Sequence, residues 1–320
     1  MRVALLSGGT GGAKLARGLL DAVGGDTLTV VANTGDDVHA HGAHVSPDPD
    51  LVAYWLADAI DARGYGIAGD SWRVMDALEA AGRPTWFRLG DRDLAMCLIR
   101  GEELAGGASL TAAHGAVCAA LGLTARVLPM SDSPAPTAIA TGGREQPFQE
   151  FMILGGGRGP LDGVGLAGAP PAPGPLASAA TLADRSAPHA PAPTAAVLEA
   201  IAAAEAIVIG PSNPIASIGP ILALPGLCDA LSAAAAPVVA VSPFVGGRVL
   251  KGPTELFCRF AGIAPDSAGV AGFYGDLVDG IVADEEVPGT ACRVVPTLMD
   301  TPAARAAVAE AVVGFARELA

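Results

Sequence analysis

Two groups of residues in the first fifty positions have the types and spacing that chemistry on a phosphorylated substrate requires. Ser7-Gly8-Gly9-Thr10-Gly11-Gly12 offers a run of bare backbone N–H groups, with Lys14 just beyond it. A glycine loop that opens a helix binds phosphate or diphosphate, because its donors converge and the helix dipole favours an anion. Downstream, Asn33-Thr34-Gly35-Asp36-Asp37 and Ser46-Pro47-Asp48-Pro49-Asp50 place four carboxylates close together in the chain. Mg²⁺ takes one or two carboxylates and completes its shell with water and substrate phosphates. Asp36, Asp37, Asp48 and Asp50 are therefore candidate metal ligands, Asp50 foremost. The plainer readings are a tight turn without a ligand and helix capping by Asp48 or Asp50.

The elements around these residues say how they would be held. Arg2 to Leu6 and Leu28 to Ala32 are short apolar runs, and Ala13 to Leu20 between them has helical spacing. Strand, glycine loop, helix, strand is the opening of an α/β sheet. Helical spacing recurs over Leu51–Ala62, Ser71–Ala81, Leu94–Arg100 and, behind the N-cap signal of Ser109, as far as Leu121. Ala125–Pro129 and Phe148–Leu154 read as strands, with Trp86–Gly90 as a short extended approach. A Gly/Pro/Ala-rich excursion follows over residues 155–193. Alternation then resumes with a helix over Thr194–Glu205, a strand over Ala206–Gly210, a helix near Leu227–Ala235 and a strand over Pro237–Val241. Contiguous apolar strands between helices predict a Rossmann-like, mostly parallel sheet with helices on both faces. We expect residues 1–320 to form a single α/β domain, with a smaller helical cap within 51–123.

Parallel sheets collect ligands at the carboxyl ends of their strands. Here those ends are Ser7–Gly12, Asn33–Asp37, Gly210-Pro211-Ser212-Asn213 and Ser242–Gly247. They nominate Gly8, Gly9, Thr10, Gly11, Gly12, Lys14, Asn33, Ser212, Asn213 and Ser242 as substrate-binding residues. Asp91-Arg92-Asp93 opens a helix just after Arg88; its arginine suits a phosphate and its carboxylates suit orienting a hydroxyl. An N-cap with its ion pair is the bland alternative. His39, His41 and His44 lack the spacing of a zinc site, and substrate contact by one of them is the more reasonable expectation. The glycine run fits neither G-x-G-x-x-G nor G-x-x-x-x-G-K-[ST], because Lys14 stands where the third Rossmann glycine belongs.

Composition narrows the partners. The chain has 320 residues, 51% of them hydrophobic, with 19 Lys+Arg against 33 Asp+Glu and a net charge of −14. A chain this acidic with no basic cluster is unsuited to nucleic acid or to an anionic membrane. No apolar run approaches a membrane span of about 20 residues. Five scattered cysteines without a C-x-x-C pair fit a reducing, cytoplasmic setting. A homodimer is compatible with so apolar a chain.

Taken in order, the segments at 7–12, 33–37, 46–50, Leu-Gly-Asp-Arg-Asp (89–93), Gly-Pro-Ser-Asn-Pro-Ile-Ala-Ser-Ile-Gly-Pro-Ile (210–221), Val-Ser-Pro-Phe-Val-Gly-Gly (241–247) and Thr-Leu-Met (297–299) resemble one family across nearly the whole chain. That family is the 2-phospho-L-lactate transferases, which build the deazaflavin coenzyme F-420. The resemblance implies a Mg²⁺-dependent transfer of a phospho-lactyl or phosphoenolpyruvyl group from a guanosine-diphosphate-activated three-carbon acid to the ribityl hydroxyl of the deazaflavin Fo, with release of GMP. By position it implies that Asp50 meets the ribityl chain or the metal and that Arg88 contacts Fo. Asp91 and Arg92 would line the same pocket, with Asp50, Asp91 and Arg92 as catalytic candidates. The glycine loop and Ser212-Asn213 would hold the nucleotide phosphates. Two alternatives remain: an NAD(P)-dependent oxidoreductase, and a non-catalytic nucleotide sensor of the same fold. The sensor draws on departures from the family pattern at Val38, Met96 and Ser133.

Overall fold

The computed structural model describes residues 1–166 and 190–320. Its strands, in chain order, are β1 (Val3–Ser7), β2 (Leu28–Ala32), β3 (Val38–Ala40), β4 (Ala43–Val45), β5 (Arg126–Pro129), β6 (Thr137–Thr141), β7 (Arg144–Pro147), β8 (Gly163–Leu166), β9 (Ala206–Ile209), β10 (Val238–Val241), β11 (Phe244–Val245), β12 (Arg248–Val249), β13 (Gly280–Ala283) and β14 (Cys292–Val294). The helices are α1 (Gly9–Val23), α2 (Pro47–Leu56), α3 (Arg73–Ala80), α4 (Asp91–Ala105), α5 (Leu110–Ala120), α6 (Phe148–Ile153), α7 (Ala195–Ala203), α8 (Gly219–Leu222), α9 (Leu227–Ala233), α10 (Thr254–Phe260), α11 (Ser267–Tyr274) and α12 (Pro302–Leu319). Seven strands form one all-parallel sheet in the order β14-β13-β10-β9-β1-β2-β5.

Each central strand is apolar on both sides because both faces are covered. Val3, Leu5, Val30 and Val208 meet Leu15, Leu19 and Val312 of α1 and α12. Ala4, Leu6, Ile207 and Ile209 meet Ile201, Leu231, Phe257 and Val270 of α7, α9, α10 and α11. β1 sits between β2 and β9, the point where the chain crosses from one half of the sheet to the other. Parallel α/β sheets bind their ligands at such a switch point.

Between β2 and β5 the chain leaves the sheet for the β3–β4 hairpin and for α2, α3, α4 and α5. Within 51–123, α4 and α5 pack together, while α2 lies against α1. The boundaries differ from the sequence expectation. α2 begins at Pro47, four residues before the apolar spacing starts, because Pro at the first helical position and Asp48 and Asp50 in the first turn suit a helix start. Phe148–Leu154 forms a helix rather than a strand. Phe148, Phe151 and Met152 have i, i+3, i+4 spacing and pack on one core, a pattern that a short apolar run conceals. The excursion at 155–193 contributes β8 to a second, antiparallel sheet of order β7-β6-β8; its remainder over 167–189 lies outside the described residues. No single helix among the described residues is long and apolar enough to cross a membrane.

Candidate active site

The carboxyl ends of β1, β2, β9 and β10 open into a cleft of about 520 Å³, well within the range of small-molecule sites. Gly8, Gly9, Thr10, Gly11 and Lys14 line it, with Ser212, Asn213 and Ser242 beside them, while Gly12 is buried behind the lining. The glycines are required by close approach. A methyl on Gly8 would lie 2.6 Å from Ser217 Cβ, one on Gly11 would strike the Pro211 carbonyl, and one on Gly12 would lie 2.8 Å from Ser212 Oγ. The 210–217 segment thus leans onto the first turn of α1, where Gly9 turns the chain at φ +63°. Gly8 N–H donates to Ser212 Oγ at 3.2 Å, and Gly9 N–H donates to Asp48 Oδ1 at 2.6 Å. Asn213 uses its amide oxygen on the N–H groups of Ile215 and Ala216, fixing this segment. Asn33 does not line the cleft; its amide N–H donates to Asp48 Oδ2 at 2.9 Å, and its oxygen accepts from Gly35.

A second cleft of about 490 Å³ lies beyond Asp48, which borders both. Tyr54, Tyr65, Trp72, Trp86 and Phe87 give it an aromatic lining. Trp72 stacks under two guanidiniums, Arg63 at 5.4 Å and Arg88 at 5.3 Å from the ring centre. α6 forms the partition, with Phe148 and Met152 on the first cleft and Gln149 and Ile153 on the second. Gln149 donates to Asp36 Oδ2 at 3.0 Å across that partition.

The four candidate metal carboxylates do not share one site. Asp36 and Asp48 border the first cleft. Asp37 is held by Ser46 Oγ at 2.7 Å and stands 3.4 Å from His44 Nε2. Asp50 is clamped by both terminal nitrogens of Arg100 at 2.7 Å each, although it still borders the second cleft. Arg100 is fully buried, and its Nη1 also meets His114 Nδ1 at 3.3 Å. With both oxygens taken by Arg100, Asp50 serves as an internal counter-ion rather than an open metal ligand, and it anchors α2 and hence Asp48. Burial, partly offset by Asp50 and reinforced by Arg100, holds the His114 imidazole down at about 4, so it stays neutral.

Among the described residues no three His, Cys, Asp or Glu side chains form a ready-made metal cluster. Asp36 and Asp48 nevertheless fit Mg²⁺. Asp36 Oδ1 is buried without a hydrogen-bond partner. Burial, then the neighbouring Asp48 and Asp37 charges, push the Asp36 carboxyl well above its ordinary value. Asp48 is raised to about 6 by burial, partly offset by the bonds from Asn33 and Gly9. Paired carboxylates in this state gain from a cation that completes its shell with phosphate oxygens.

Asp91 and Arg92 have structural partners. Asp91 accepts from Ser71 Oγ at 2.6 Å and from the N–H groups of Arg73 and Val74, so it caps α3. Arg92 is exposed, bonds the Ala68 carbonyl and borders neither cleft. Arg88 does line the aromatic cleft, with Asp76 at 3.3 Å. Asp93 is the carboxylate of this motif that faces the cleft; it accepts from Tyr54 OH at 2.7 Å and is raised to about 6, mainly by burial. His41 bonds the Phe87 carbonyl and His44 joins the buried network, so none of the three histidines borders either cleft. Lys251, Arg63, Tyr65 and Trp72 carried no sequence signal, since they come together only in the fold.

Two adjoining clefts that share Asp48 suit an enzyme acting between two small molecules. Residues 3–296 match the family model described as 2-phospho-L-lactate transferase CofD, and the chain belongs to that family. It is 38% identical to a phosphoenolpyruvate transferase of Kitasatospora aureofaciens, covering 100% of this chain and 99% of that protein. It is 35% identical to a 2-phospho-L-lactate transferase of Methanospirillum hungatei over 94% of this chain and 95% of the relative. A solved structure from Bacillus halodurans, a member of the UPF0052 family, shares the fold with a TM-score of 0.57 at 17% identity, covering 98% of this chain and 100% of that one. The protein transfers a phospho-lactyl or phosphoenolpyruvyl type of group, and the oxidoreductase alternative falls away.

Proposed function

We propose that the donor is a guanosine-diphosphate-activated lactate or enolpyruvate and the acceptor is the deazaflavin Fo, with GMP as the second product, in coenzyme F-420 biosynthesis in the cytoplasm. The observation that carries this reading is the junction at Asp48, where the phosphate-cradling cleft meets the aromatic one. The first turn of α1, Lys14 and Ser212 suit the donor diphosphate, and the stack of Tyr65, Trp72 and Arg63 suits a flat heteroaromatic ring.

In this arrangement the ribityl hydroxyl reaches the junction and its oxygen attacks the phosphorus that bears the three-carbon acid. The bond from that phosphorus to the GMP phosphate oxygen breaks, and GMP leaves with the electron pair. The hydroxyl proton passes to the departing phosphate, whose second pKa of about 6 makes it basic enough. Such a step rests on positioning and charge neutralisation. Asp36 and Asp48 would hold Mg²⁺, which would neutralise the diphosphate charge. The test is turnover of Fo with each donor in Mg²⁺, following GMP and the deazaflavin phosphodiester. One GMP per phosphodiester is expected; GDP binding without transfer would leave the nucleotide sensor.

A further inference from the structure

One lysine ties the mouth of the first cleft to a loop of the second. Lys251 follows the β11–β12 hairpin and lines the phosphate cleft. Its Nζ donates to the main-chain carbonyl of Arg63 at 2.8 Å. Arg63 belongs to the aromatic cleft, where its guanidinium lies over Tyr65 at 5.1 Å and Trp72 at 5.4 Å. A methyl on Gly64 would be 3.2 Å from Lys251 Nζ and 3.8 Å from Thr10 Cγ2, so the loop tip, the lysine and the first turn of α1 converge.

The loop is a cross-linked unit. Ile60 bridges Ile67, Gly64 N–H donates to the Asp61 carbonyl at 2.8 Å, and Asp61 N–H donates to the Gly66 carbonyl at 3.0 Å. The Asp61 carboxylate also accepts from the Arg63 backbone and side chain. Fixing the tip of such a unit fixes the aromatic face it carries. Tyr65 on that face is 59% exposed, a large ring with room for a partner. Lys251 meanwhile shares its cleft with Lys14, whose ammonium is held below its usual value by burial and then by Lys251 and Arg305, with Asp300 on the same cleft opposing them. Two ammonium groups in one cleft favour an anion between them. An ammonium has three N–H donors, and the Arg63 bond uses one of them.

Resting on the donor and acceptor reading above, we infer that Lys251 is a positioning residue that couples the two clefts. The donor diphosphate fixes its ammonium; through the Arg63 carbonyl this fixes the Arg63–Tyr65–Trp72 face against the acceptor ring. Each substrate then strengthens binding of the other by the same factor.

The test is titration of the full-length protein with Fo in Mg²⁺, with and without saturating GDP, followed by the deazaflavin's fluorescence. GDP is expected to tighten Fo binding about tenfold in the unsubstituted protein, within the usual span of such couplings. Lys251→Met should bring that ratio close to one while both ligands still bind. Lys251→Arg, which keeps a cation with donors of similar reach, should restore most of it. In turnover at saturating donor, Lys251→Met should raise KM for Fo by a larger factor than it lowers kcat, and Lys251→Arg should restore KM. An unchanged ratio in Lys251→Met, or a ratio of one in the unsubstituted protein, would overturn the coupling and leave the transferase reading intact. Absence of any Fo binding would overturn both.

Discussion

The two clefts are built in opposite ways. On its glycine side the phosphate cleft is main chain at strand ends, held by contacts between glycines and the 210–217 segment. The aromatic cleft is made of side chains from α2, the 60–67 loop, Trp72 before α3, the approach to α4 and α6. Under the proposed assignment the first would bind what every activated donor shares, a diphosphate, and the second what distinguishes one acceptor from another. Where a ligand is generic, backbone geometry suffices, and where it is particular, side chains set the fit.

The largest expected effect tests what supports both clefts. Arg100→Met leaves Asp50 buried without its counter-ion and should cost about 3–5 kcal/mol of stability, read by denaturant unfolding. The double variant Arg100→Met/Asp50→Leu should recover much of that loss. Asp48→Asn acts at the boundary between the clefts. It should lower kcat by roughly a hundredfold, about 3 kcal/mol, with the fold retained by circular dichroism. Retention of near-normal turnover would remove Asp48 from the reaction.

Smaller effects separate the two sides. Gly11→Ala drives a methyl into the Pro211 carbonyl; GDP affinity should fall more than about tenfold, or 1.4 kcal/mol, with Fo affinity little changed. Tyr65→Ala should do the reverse, weakening Fo by up to about tenfold, an aromatic contact's ordinary worth, and sparing GDP. Asp93→Asn reads the aromatic side through pH. The folded carboxyl is raised to about 6, so the ionised side chain costs stability above that pH and nothing below the unfolded value. The variant should be more stable by up to about 3 kcal/mol at pH 8, with the gain fading as pH falls from 6 towards 4.

Legibility in the sequence follows the same division. The β1–α1 glycine loop, the acidic segments and the strand ends could be read because adjacent residues form them and parallel sheets gather ligands at one edge. The capping role of Asp91 was open as an alternative to catalysis, and only its spatial neighbours Ser71, Arg73 and Val74 decide between them. Arg100 and Asp50 lie fifty residues apart, and nothing local to either announces the pair. The helix at Phe148–Ile153 was hidden because six residues cannot separate a 3.6 period from a buried strand. Lys251 and Arg63 meet through a main-chain carbonyl, which carries no residue-type signal at all.

The central claim is that donor and acceptor occupy adjoining clefts at the same time. Calorimetric titration of GDP into Fo-saturated protein in Mg²⁺, with Fo fluorescence recorded in parallel, tests it most directly. The expected result is one GDP bound per chain with Fo retained. Displacement of Fo by GDP would place both ligands in one cleft and contradict the account.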